Sequence, residues 1–274
     1  MYKKRLSLGV ALGTAIAISL AACGGGGGGD SGGLKPTLRI ALYGTSSMAG
    51  KPKTTAMLKS LNPITEAVAD GQGDEAASAL QAALTQAGVA ANVQVGVMDA
   101  ATLHDFVATN YGTALPTEAQ QAASPQPTTW VIENFTLPDL KGFTALDDDA
   151  KLVAIKQFES DLNSFIKWQH VAGNWIVMLA TDPSADPDIN DSIGKWVNQV
   201  FGRAMFNGAS LWGMGDVIQQ VPNWQSHMSG PDSNTPDDTL KAVKTQELVR
   251  QIVILNGYLN PTATPAQPAS AASS

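Results

Sequence analysis

Leu38-Arg39-Ile40-Ala41-Leu42-Tyr43-Gly44-Thr45-Ser46-Ser47-Met48-Ala49-Gly50 is the stretch on which the reading of this 274-residue chain turns. A short apolar run stops at a glycine and gives way to small polar residues, the pattern of a buried strand entering a turn. Two glycines bracket two serines. Such a turn can present a hydroxyl and aim backbone N–H groups at an anion. As a plain strand-to-helix turn it would use the serines as caps.

Outward from this strand the apolar pattern alternates. Glu75 to Ala87 carries Ala76, Ala79, Leu80, Ala83, Leu84 and Ala87 on one stripe and stops at Gly88, so a helix is predicted. Val93 to Val97 predicts a second strand and Thr129 to Glu133 a third. Asp147 to Val171, with Leu152, Ile155, Phe158, Leu162, Phe165 and Ile166, predicts a long amphipathic helix. Trp175 to Ala180 is a fourth strand, Ile193 to Phe206 a helix, Ser210-Leu211-Trp212 a weak fifth strand, and Asp238 to Tyr258 a last helix. Strands alternating with helices imply a parallel sheet covered on both faces. The expected fold class is therefore α/β, a three-layer αβα domain with a central, mainly parallel five-stranded sheet. No internal repeat is present.

The two ends have another character. Lys3, Lys4 and Arg5 precede an apolar, small-residue run that closes at Leu20-Ala21-Ala22-Cys23. A basic start, a short apolar stretch and small residues before a cleavage point make a secretory signal, too short for a membrane span. Leu20-Ala21-Ala22-Cys23 resembles the lipobox of bacterial lipoproteins, and Cys23 is the only cysteine in the chain. The resemblance implies acylation of Cys23, which would then begin the mature protein and hold it on a membrane. Gly24 after the cysteine, in place of Asp, is similar to lipoproteins sorted to the outer membrane. Gly24 to Gly33 cannot pack a core, and a coil from Gly24 to Lys35 would reach roughly 20 Å. From Asn260 onward the chain is otherwise Pro, Ala, Thr, Ser and a single Gln, with too little apolar surface to order it. The expected organisation is a signal peptide over 1–22, a lipidated tether over 23–36, a domain over 37–259 and a disordered tail over 260–274.

The formal net charge is −7; losing Lys3, Lys4 and Arg5 leaves 14 basic against 24 acidic residues, or −10. That balance excludes nucleic acid as an expected partner and leaves attachment to lipid to the acyl chains.

The block from Arg39 to Gly50 resembles the first block of the SGNH, or GDSL, hydrolases: a strand, then Gly-Asp-Ser, then a further glycine. The helix ending at Ala87-Gly88-Val89 with Asn92 to Gly96, the segment Trp130 to Asn134, and Trp175 to Ala180 followed by Asp182-Pro183 follow that family's order. His227 falls before the last helix, where the family keeps its catalytic imidazole. The resemblance implies a flavodoxin-like SGNH fold and ester hydrolysis. Ser46 would attack an ester carbonyl, His227 would carry the proton, and the Ser46 N–H with Asn134 would hold the oxyanion. Ser47 is the nucleophile if the turn is shifted by one residue. No cofactor is implied. The partners implied are an ester-bearing small molecule, a lipid or an acylated glycan, together with the membrane.

This sequence departs from the family's pattern at several points. Gly44-Thr45-Ser46 replaces Gly-Asp-Ser. Asp99 stands where the second block carries a glycine whose N–H helps form the oxyanion hole, and a carboxylate there opposes developing negative charge. Phe135-Thr136-Leu137-Pro138 replaces the rest of the third block. The family's Asp, three residues before the His, falls on Trp224, leaving Asp216 and Asp232 as neighbouring substitutes. These departures define the alternative: a protein of the same fold that has lost hydrolysis and binds a ligand or partner.

Other chemistry has less support. Three histidines and one cysteine give no zinc spacing, and no metal site is expected. His104 and His170 have no role in the family pattern. Asp147-Asp148-Asp149 suits a helix N-terminus. Asp182, Asp186, Asp188 and Asp191 form a carboxylate-rich loop without the spacing of a known calcium loop. Trp212 and Trp224 are candidates to line a substrate cleft.

Overall fold

The computed structural model describes residues 37–49, 74–99 and 101–259. The chain divides into two compact units, Met1–Leu34 and Lys35–Ser274, and every described residue belongs to the second. The expected signal peptide, Cys23, the glycine-rich tether, Gly50 and the tail lie outside the described residues.

Five strands form one sheet: β1 (Leu38–Gly44), β2 (Ala91–Met98), β3 (Thr129–Glu133), β4 (Asn174–Leu179) and β5 (Ser210–Trp212). Their order is β2-β1-β3-β4-β5, and all four pairings are parallel. Parallel strands are buried on both sides, which is why residues 40–43 of β1 and 175–179 of β4 read as unbroken apolar runs. The two-residue side-chain period sorts those runs onto opposite faces. Ala41, Tyr43, Val131, Ile176 and Met178 join one core cluster, while Ile40, Leu42, Trp130, Ile132, Val177 and Leu179 join the other.

Helices cover both clusters. On the first face lie α2 (Leu103–Asn110), α4 (Leu140–Ala145), α5 (Asp148–Val171), α6 (Pro187–Ser192) and α7 (Asn198–Ala204); α3 (Glu118–Ala122) packs against α5. On the second lie α1 (Asp74–Gln86), α8 (Gly215–Gln219) and α9 (Asp238–Leu259). The arrangement is the expected three-layer αβα domain. Phe106, Phe165 and Phe201 are fully buried in the first cluster, each stabilising by about 1.5–3 kcal/mol through area removed from water. A two-stranded antiparallel ribbon, β6 (Met228–Ser229) and β7 (Thr235–Pro236), precedes α9.

Three expectations need correction. The carboxylate-rich segment is not wholly a loop. Asp186 accepts the N–H groups of Asp188 and Ile189 at 3.0 and 3.3 Å, and Pro187 opens α6, an N-cap with proline at the first helical position. The helix expected from Ile193 to Phe206 therefore continues an earlier one, with a π-helical turn at Ile193–Val197 and a 3-10 turn at Met205–Asn207. Trp212 and Trp224 pack on the Ile40–Leu42 cluster and are not among the residues lining the cavity described below.

Candidate functional site

The carboxyl ends of the strands of an open parallel sheet are where its sites form, and four of those ends meet here. A cavity of about 640 Å³ is lined by Ser46 and its neighbours after β1, Asp99 after β2, Asn134 to Pro138 after β3, and Ala180 to Asp182 after β4. Lys241 and Lys244 of α9 and the segment from Pro231 to Thr235 contribute further walls.

The turn after β1 is fixed by its neighbours. Gly44 has φ +110, and a Cβ on it would lie 2.3 Å from Asn134 Oδ1. Only glycine permits both that backbone and that approach. Asn134 clamps the turn: Oδ1 accepts the Thr45 N–H at 2.7 Å, and Nδ2 donates to Thr45 Oγ1 at 2.9 Å and Ser47 Oγ at 3.2 Å. Thr45 and Ser47 hydroxyls are themselves 2.6 Å apart. Lys244 Nζ donates to the Ser47 carbonyl at 2.9 Å and to the Asp182 carboxylate.

Ser46 begins a 3-10 turn over Ser46–Met48 and is almost wholly buried. Its backbone N–H donates to Asp99 Oδ1 at 2.9 Å. Asp99 is held in place by its own N–H, which donates to the Gly44 carbonyl at 2.8 Å, and it adopts a left-handed φ of 55. The sequence placed Asp99 near an oxyanion site; the structure sets its carboxylate directly on the N–H that site would use.

Sequence reasoning paired Ser46 with His227. Ser46 lines the cavity, and His227 is not among the lining residues. His227 Nδ1 lies 2.7 Å from Asp237 Oδ2, and the Asp237 N–H donates to the His227 carbonyl at 2.9 Å. Asp237 Oδ1 also accepts from the N–H groups of Thr239 and Leu240 at the start of α9. Burial works to raise the Asp237 pKa, but the bond to His227 and these N–H groups hold it below its ordinary value. The carboxylate beside His227 is therefore Asp237, which the sequence reading did not single out. Asp216 lies in the first turn of α8. Asp232 is buried and accepts from the N–H groups of Leu140 and Lys141 at 3.2 and 2.9 Å, closing the N-terminus of α4.

Asp232 and Thr235 both line the cavity.

Buried ionisable groups that gave no signal in sequence include Lys241 and Lys244 on the cavity wall and Glu133 at the end of β3. Glu133, the last residue of β3, is fully buried, with Oε2 accepting the Phe135 N–H at 2.9 Å and Oε1 unpaired. Desolvation pushes its pKa up to about 8, partly offset by that N–H. Lys241 is 1% exposed, and its Nζ has no hydrogen-bond partner. Each sits in an apolar or helical pattern that periodicity alone reads as ordinary.

His104 Nδ1 contacts Asp161 at 3.0 Å on the surface of α2, and His170 closes α5 half-buried, its pKa lowered by desolvation. Among the described residues, no group of three or more His, Cys, Asp or Glu could hold a metal ion, and no helix is long and apolar enough to cross a membrane.

No protein-family model and no curated protein matches the chain. Solved structures do. The lipase/acylhydrolase from Enterococcus faecalis shares 16% identity over 83% of this chain and all of its own length, with a TM-score of 0.50. Its fold is that of the SGNH hydrolases. A catalytic mutant of an acetylxylan esterase from Geobacillus stearothermophilus is similar at 12% identity over 80% of this chain and 96% of that one, TM-score 0.49. A candidate SGNH hydrolase from Slackia heliotrinireducens is similar at 13% identity, over 79% and 99%, TM-score 0.47. The cavity at the ends of β1 to β4 is the candidate site on this fold, and its chemistry has to be read from the residues this chain puts there.

Proposed function

We propose that this chain is a ligand-binding module built on the SGNH hydrolase fold and held at the outer membrane of a bacterial cell envelope by acylated Cys23. The observation that carries the binding reading is the Asp99 carboxylate on the Ser46 N–H. Ester hydrolysis develops negative charge on the carbonyl oxygen, which needs preorganised donors aimed at it. Here the Ser46 donor is already bonded, and its partner is an anion that would repel an oxyanion. The Asn134 amide is likewise committed to Thr45 and Ser47. His227, although its Nδ1 is held by Asp237, is not among the residues that line the cavity with Ser46. What persists is a cavity of about 640 Å³ lined by both polar and apolar groups, within the size range of small-molecule sites.

The test is treatment of the mature protein with a serine-directed fluorophosphonate and with p-nitrophenyl acetate. Neither labelling nor turnover above that of Ser46→Ala is expected. Labelling that disappears in Ser46→Ala and in His227→Ala would establish instead an esterase acting through Ser46 and His227 on an ester-bearing small molecule, lipid or acylated glycan. Anchoring is tested separately by incorporation of labelled palmitate in a Gram-negative host. Incorporation is expected in the parent and not in Cys23→Ala; label retained in Cys23→Ala, or absent from both, overturns the anchor.

A further inference from the structure

Lys241 is hard to explain as a structural residue. Its Nζ is buried with no hydrogen-bond partner, and an unpaired buried ammonium destabilises a fold. Lys244, one turn further along α9, by contrast donates to Asp182 and Ser47. Asp238, Glu75 and Asp99 attract the Lys241 charge and Lys244 repels it, while burial lowers its pKa. None of these groups bonds to it. Both lysines line the cavity, beside Ser46 and Asp99.

The cavity's charge says what could complete Lys241. Its walls carry four carboxylates, Asp99, Asp105, Asp182 and Asp232, against two ammonium groups. An anionic ligand would enter against that excess, whereas an uncharged one would not. The ligand group that meets Lys241 therefore offers an oxygen without net charge. Carboxylate oxygens and the Asn234 amide on the same walls can accept hydrogen bonds. A hydroxyl serves both needs, since it accepts from an ammonium and donates to a carboxylate. We infer that Lys241 is the recognition residue of this cavity and that it binds a hydroxyl oxygen of an uncharged polyol or sugar. The inference rests on the binding reading above and names the ligand class for the same site.

Isothermal titration of the mature protein with myo-inositol and xylotriose as neutral probes and trigalacturonate as the anionic one tests it. At least one neutral probe is expected to bind, at least tenfold more tightly than trigalacturonate. Lys241→Met should weaken that binding at least tenfold while leaving Tm unchanged or raised, because an unpaired buried charge has been removed; Lys241→Gln provides the same comparison if the methionine variant does not fold. No binding of either neutral probe, equal or tighter binding of trigalacturonate, unchanged binding in both Lys241 variants, or a large fall in Tm in both would overturn the inference. Ser46-dependent fluorophosphonate labelling alongside Lys241-dependent polyol binding would sink catalytic inactivity alone.

Discussion

Asp99 Oδ1 accepts the backbone N–H of Ser46 at 2.9 Å, joining the turn after β1 to the end of β2 through a residue whose own backbone is left-handed. The same side chain thus ties down the opening turn and sets a negative charge beside it. The two effects can be separated by substitution.

Asp99→Ala removes the bond and keeps a Cβ in the left-handed region. Asp99→Gly removes the bond and relieves that backbone. Asp99 is exposed, so the lost bond costs about 1–2 kcal/mol, while glycine recovers roughly 1 kcal/mol at positive φ. Urea unfolding should place Asp99→Ala about 1–2 kcal/mol below the parent and Asp99→Gly close to it. Equal losses in the two variants would show that the left-handed backbone carries no cost.

Lys244 and Asp182 form a nearly buried ion pair, their side chains 1% and 10% exposed. Breaking such a pair on one side leaves an uncompensated charge and costs about 3–5 kcal/mol. Lys244→Met should destabilise by that order and loosen the Ser47 turn its Nζ holds. Lys244→Met with Asp182→Leu should recover most of the loss, since the stranded carboxylate is gone. A double-mutant cycle in urea measures the coupling. Additive losses would show that the pair is not coupled.

Gly96 marks a place where sequence and structure agree only in part. In the sequence it lies in a predicted strand and closes the segment that resembles the family's second block. In the sheet the β1–β2 register slips between Leu42, opposite Val95, and Tyr43, opposite Val97, so Gly96 is the extra residue of a bulge. A Cβ there would lie 2.4 Å from the Tyr43 ring. That ring is held edge-on by Phe106 and Phe165, with centroids 5.8 and 5.6 Å away, and has little room to yield. Gly96→Ala should therefore cost about 1–3 kcal/mol, the range for overpacking. A Tm unchanged from the parent would mean that Tyr43 moves freely.

The same contrast runs through the whole molecule. The five strands and the long helices α1, α5 and α9 were legible because burial on one or both faces imposes a period on their apolar residues. The elements missed, α3, α4, α6, α8 and the β6–β7 ribbon, are too short to show one. Ser46 and Asn134 were readable as cavity residues because each comes within two residues of a strand's carboxyl end. His227 was placed by its position before α9, and that position could not reveal that Asp237, ten residues on, takes its ring nitrogen. Lys241 was hidden because a lysine on an amphipathic helix is ordinarily solvated, and its burial goes with the packing of α9 against α1 and the turn after β1.

Glu133 makes stability depend on pH with a sign opposite to that of an ion-paired carboxylate. Its folded pKa is about 8 against an ordinary value of 4.5, because burial disfavours the ionised form. Between those values the folded state keeps a proton that the unfolded state has released. The stability from neutral Glu133 is thus fully present below about pH 4.5 and is lost as pH rises toward 8, at no more than about 1.4 kcal/mol per pH unit. Glu133→Gln keeps the shape and an acceptor for the Phe135 N–H but cannot ionise. Unfolding in urea at pH 5, 6.5 and 8 should show the variant gaining on the parent at each step, and the gain should level off above pH 8. Because Oε1 is unpaired while Oε2 holds the Phe135 N–H, no cation stands ready to reverse the sign. A parent that gains on Glu133→Gln with rising pH would mean the carboxylate is ionised and paired in the folded protein.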